Sequence, residues 1–316
     1  MEPHYKQINT VIMKKHYFYV GILAFLTLSS CSQEDVENQG QSQSEIKSSQ
    51  SVSDLTMQLK EYNSQFSAST IVEPQEAISR IPKITYSKGD MVKIAISDVK
   101  GGLRGVGGGA AGVIVGAATS SLIKFGKITV KKLIWGYIRD NYLKPYIHNS
   151  NSTCQYADSI GYYHNELEYA MYSSDRSSYS RPSLELVSDA NARMLTMSSG
   201  FNRDGGLTAA QMLSISNELD VIRNTDESLS FAEYCSKLKE QNPEDAEYID
   251  YCAEYIHTAV YANVSDIDGY TRSVMYQILN SNVDVSDKQT LYKGIQVAYA
   301  SILYSKNMNF TEITNQ

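Results

Sequence analysis

The chain has 316 residues, with 28 Lys and Arg against 35 Asp and Glu and a formal net charge of −7. This balance lacks the basic excess of a nucleic-acid binder and excludes that class of partner. The net figure hides an asymmetry: residues 88–144 carry ten basic and three acidic side chains, whereas residues 145–316 carry eleven basic and twenty-three acidic ones. A cationic region and an acidic region in one chain are candidate partners for each other.

From Met13, "MKKHYFYVGILAFLTLSSC" presents two lysines, an apolar run from Tyr17 to Leu28 and small residues before Cys31. These are the three parts of a secretory signal. The apolar run is shorter than the roughly 20 residues a spanning helix needs. Leu28-Ser29-Ser30-Cys31 resembles the bacterial lipobox. The resemblance implies that residues 1–30 are a signal peptide with its true start at Met13, and that Cys31 is diacylated and anchors the chain in a membrane. Residues 31–53 are Ser, Gln and acids with too few apolar side chains to offset ordering entropy, so a disordered tether is expected. Its front, "SQEDVE", resembles the acidic export signal of Bacteroidota-type surface lipoproteins. That implies an outer-membrane lipoprotein at the cell surface, with the periplasmic face as the alternative. Residues 54–87 read as a short helix and an extended linker.

The segment "GGLRGVGGGAAGVIVGAATSS", residues 101–121, contains eight glycines and no acid. Gly101, Gly105 and Gly109 are four apart, as are Gly108, Gly112, Gly116 and Ser120. Residues four apart share a helical face, and small residues there let two helix backbones approach closely. The spacers are Val, Ala and Ile rather than the Ser and Asn of a flexible linker. The pattern resembles the glycine-zipper segments of membrane-active, bacteriocin-like peptides, which implies a membrane or helix-packing role. Gly105 to Ile123 is uncharged and about 28 Å long as a helix, near the 30 Å of a hydrocarbon core. Its six glycines make insertion as a lone helix marginal. The following stretch sets lysines and Trp135 among Leu and Ile, a composition that suits a membrane interface as well as a buried helix face. Residues 88–144 therefore read as a cationic glycine-zipper helical hairpin, with residues 101–144 open to a protein or lipid-surface partner.

Residues 145–316 read as an acidic α-helical domain, with apolar residues recurring at three and four. Helix starts are marked at Thr208, at Ser230 with Glu233, and at Asn242 with Pro243. Tyr248, Tyr251 and Tyr255 share one face, as do Tyr292 and Tyr299; packed rings are expected in preference to a glycan-binding surface. The fold class expected is mainly α: a helical bundle with the hairpin, after the disordered tether.

No catalytic residues, cofactor or metal site are expected. "HNELE" offers His164, Glu166 and Glu168 without the paired histidines of a zinc helix. His257 reads as an interface histidine, and Asn202-Arg203-Asp204-Gly205 lacks the acids that open and close a calcium loop. Cys235 and Cys252 lie on successive helices and are a possible disulfide, with free buried thiols as the alternative. Two functions remain: a non-enzymatic lipoprotein acting through protein interaction, its zipper packed in its own bundle, and a membrane-active, toxin-like lipoprotein using residues 101–144.

Overall fold

Helix-starting side chains divide the chain into short rods. Ser51, Ser87, Thr208 and Ser230 each accept a hydrogen bond from the backbone N–H three residues on, and Asp54, Asp90, Gln211 and Glu233 accept one back from the capping residue. These reciprocal caps satisfy donors that a helix start leaves unpaired. A computed structural model describes residues 50–66, 86–133, 158–175, 177–197 and 206–310. The helices are α1 (Val52–Phe66), α2 (Lys88–Arg104), α3 (Gly109–Leu133), α4 (Asp158–Ser174), α5 (Ser183–Met197), α6 (Ala209–Asn224), α7 (Phe231–Gln241), α8 (Ala246–Tyr261), α9 (Val264–Asn280) and α10 (Val285–Phe310). Among the described residues there is no strand, and the fold is a mainly α bundle.

The hairpin of α2 and α3 is its spine. Every residue from Ile94 to Leu103 and from Ala111 to Gly126 is buried, so both arms are enclosed on all faces rather than along one stripe. α2 packs against α6, α7, α8 and α10, and α3 against α4, α5 and α6; α1 lies on α8, and α9 on α10. Residues 48–316 form one compact unit. The boundary expected at 144/145 therefore does not separate two compact bodies: helices with no solvent-facing side bury themselves only by being wrapped.

The glycine segment is also not one continuous helix from Gly105 to Ile123. α2 ends at Arg104, Val106–Gly108 is a 3-10 turn, and Gly109 has φ 66° and ψ −151°, a conformation that side chains other than hydrogen disfavour. The chain reverses there, and α3 runs back along α2.

Candidate functional site

Reversal sets the two small-residue tracks face to face on opposite arms. A Cβ at Gly101 would lie 2.3 Å from the Gly116 carbonyl oxygen and 2.0 Å from Ser120 Oγ; one at Gly116 would lie 2.1 Å from the Gly101 oxygen. One turn along, Gly105 and Gly112 make the same approach, at 1.9 and 2.1 Å from each other's carbonyl oxygen. A Cβ at Gly108 would meet Leu207 at 2.3 Å instead, and Gly109, with nothing within 4 Å, serves the turn. Thus Gly101, Gly105, Gly112, Gly116 and Ser120 form the zipper, and Gly108 and Gly109 belong to its bend. Trp135 and Cys31 lie outside the described residues, as do Cys154, residues 31–49 of the expected tether and Asn202–Gly205; the last residues of that tether are ordered instead, Val52 and Ser53 opening α1 with Val52 buried.

The cationic arms are neutralised by carboxylates from the acidic half. Lys100, fully buried, donates to Asp245 at 2.6 Å and lies 3.7 Å from Glu218. Arg104 reaches Asp245 at 2.7 Å and Glu244 at 2.8 Å. On α3, the buried Lys124 pairs with Glu227 and sits 3.9 Å from the Tyr234 ring centroid. Lys127 holds the other Glu227 oxygen at 2.8 Å and donates to the carbonyls of Arg223 and Thr225 at the end of α6. Burial pulls the Lys124 ammonium down to about 8, against the opposing pull of Glu227, and burial raises the Glu218 carboxyl. The expectation that the two charged regions are partners is met, through a short list of named pairs. Their acids come from α6, from the turns on either side of α7 and from no other element.

A second polar group lies deeper, where α2, α3, α4 and α10 meet. Asp98, His164 and Glu168 are each at most 3% exposed. His164 Nε2 is 3.6 Å from Asp98 Oδ2, and His164 Nδ1 is 2.7 Å from Asn165 Oδ1. Both Asp98 oxygens, Glu168 Oε2 and the hydroxyls of Ser121, Ser301 and Ser305 are buried without a hydrogen bond of normal length. Burial raises Asp98 and raises Glu168 to about 8; for His164 burial works downward, but Asp98, Glu168 and Asn165 together outweigh it and the imidazole is raised. Sequence reasoning singled out His164 and Glu168 but passed over Asp98, whose partners are some 66 residues away. An acid set between Ile94, Ile96 and Val99 in the middle of a helix was the available signal.

At the surface, α1, α7 and α8 enclose an open cleft of about 570 Å³. It is lined by Met57 and Lys60 of α1, Phe231 of α7, and Asp250, Glu254 and His257 of α8. His257 is exposed, with its ring 6.5 Å from Phe231 and 5.2 Å from Tyr261. The inward tyrosines behave as expected: Tyr251 and Tyr255 are fully buried, and Tyr255 stacks on Tyr270 at 5.4 Å with its hydroxyl 2.7 Å from Thr271. Cys235 and Cys252 form no disulfide. Both are free, buried thiols that burial raises to about 12, and each occupies an apolar helix face as a small hydrophobe. No family model, curated protein or solved structure matches the chain.

Proposed function

We propose that the protein is a non-enzymatic, lipid-tethered envelope protein that acts through protein interaction, with the zipper hairpin as its internal spine. The observation that carries this reading is that the zipper glycines already have partners: Gly101 meets Gly116 and Gly105 meets Gly112 within the same chain. A surface made for another molecule would leave such faces open. The cleft between α1, α7 and α8 is the concave surface available for an interaction. The buried Asp98–His164–Glu168 group offers no substrate access, which speaks against a hydrolytic role for it. Anchoring rests on Cys31 and is tested directly: Cys31→Ala should abolish labelling by a fatty-acid probe and move the protein out of the membrane fraction. Unchanged labelling would sink the lipoprotein reading.

A second reading, membrane activity of residues 101–144, is favoured by one observation. Val106–Ile128 is long and apolar enough to cross a membrane, although 72% of its most apolar window is buried inside the protein. The carboxylates on Lys100, Arg104, Lys124 and Lys127 would then act as a cage that an anionic surface competes with. Dye release from anionic but not zwitterionic vesicles by the intact protein would favour this reading, and intact vesicles of both kinds would favour the first.

A further inference from the structure

The polar junction of α2, α3, α4 and α10 encloses two carboxyl groups and one imidazole in a space almost without solvent exposure. Its other polar groups are neutral: Asn165 on α4, Ser121 on α3, and Ser301 and Ser305 on α10, with the hydroxyls of Tyr304 on α10 and of Tyr234 on α7, the latter bonded to Ser97 at 2.9 Å, within electrostatic reach of Glu168 and Asp98. The buried lysines are committed elsewhere, Lys100 to Asp245, Lys124 to Glu227 and Lys306 to the Ala262 carbonyl. Among the described residues no three His, Cys, Asp or Glu side chains converge as metal ligands. A single imidazolium balances a single carboxylate, so the second carboxyl group is uncompensated unless it keeps its proton. Burying an unpaired charge is far costlier than neutralising it.

We propose that Asp98, His164 and Glu168 form a proton-binding site that holds the hairpin against α4 and α10, and that withdrawing its proton loosens this junction. At neutral pH Asp98 and His164 are the ion pair and Glu168 is the protonated member, so that two titratable protons, one on the imidazole and one on Glu168, are buried against the Asp98 carboxylate of the neighbouring helix. The sign follows from linkage. A carboxyl whose folded value stands above its unfolded one stabilises the fold while protonated and loses that contribution as pH rises through the folded value. Glu168, raised from 4.5 to about 8, therefore favours folding below pH 8, and the raised His164 acts in the same sense. Lys124 and Lys306, lowered to about 8 by burial, act oppositely above that pH, so the comparison must isolate Glu168.

The test is denaturant unfolding of the full chain and of Glu168→Gln, a neutral mimic of the protonated acid, from pH 6 to pH 9. The ratio of their unfolding equilibrium constants, wild type over variant, is expected to rise about tenfold between pH 7 and pH 9. Parallel pH curves would overturn the proposal. Should the variant fail to fold, proton uptake by the wild-type chain on refolding at pH 7, followed with an indicator dye, gives the answer. Net uptake by the chain is expected, and release or no change would overturn it.

Discussion

Gly116 and Gly269 are both helical glycines, yet adding one methyl group to each should act in opposite directions. At Gly116 the new carbon meets the Gly101 carbonyl oxygen at 2.1 Å, and backbone cannot swing aside as a side-chain tip can. Gly116→Ala should cost about 3 kcal/mol, the upper part of the overpacking range. At Gly269, exposed on α9, an added Cβ meets nothing within 4 Å. Gly269→Ala should stabilise by about 1 kcal/mol, the helix-propensity difference. Chemical denaturation of both variants checks the pair, and equal small effects would mean that the zipper contacts do not fit as described. The period-four glycines were legible in the sequence because close packing leaves a repeating mark. A hairpin was expected, but the place of its bend was not legible, because Gly105 to Gly109 reads as unbroken glycine-rich helix until the positive φ of Gly109 is known.

Between elements, the charge pairs rank by burial. Glu227 serves Lys124, which has no exposed surface, so Glu227→Gln leaves a cation stranded in the core and should cost about 3–5 kcal/mol. Combining it with Lys124→Met removes the stranded charge and should recover most of the loss. Glu244, whose side chain is 63% exposed, accepts directly from Arg104 at 2.8 Å but at the surface, and Glu244→Gln should change stability by less than about 1 kcal/mol. Urea midpoints of the four proteins test this ranking; a large effect at Glu244 or none at Glu227 would contradict it. Charge segregation along the chain foretold the partnership, but composition does not say which acid meets which lysine. That pairing depends on α6 and the turns around α7 lying against both hairpin arms. Helix starts were clearer, since the caps at Thr208 and Ser230 are local. Asp98 was obscure for the opposite reason: its neighbours His164 and Ser301 are remote in the chain.

For the whole molecule, wrapping α4, α5, α6, α7, α8 and α10 around one hairpin ties their fates together. Residues 48–316 should unfold in one calorimetric transition. A chain beginning at residue 145 lacks the surface on which α4, α6, α8 and α10 pack, and should show no cooperative melt. A sharp transition in that truncated chain would restore the domain boundary that the charge asymmetry suggested. The sequence made the class of fold readable through its three-four periodicity. It left the wrapping as one of two readings, because a helix buried on all sides and a helix bound for a membrane have the same composition.

The same ambiguity bears on how such a chain would reach the far side of a membrane. A protein secreted unfolded must pass its most apolar segment through a translocation channel whose lateral exit accepts sufficiently hydrophobic helices. With leucine in place of glycine at Gly105, Gly112 and Gly116, the segment would gain insertion energy at every position and risk being retained in the bilayer as a stop signal. On the proposed route of export, glycine would keep the segment on the passing side of that threshold in transit, and in the folded chain the missing side chains become the contact itself, with Gly101 and Gly105 closing on Gly116 and Gly112.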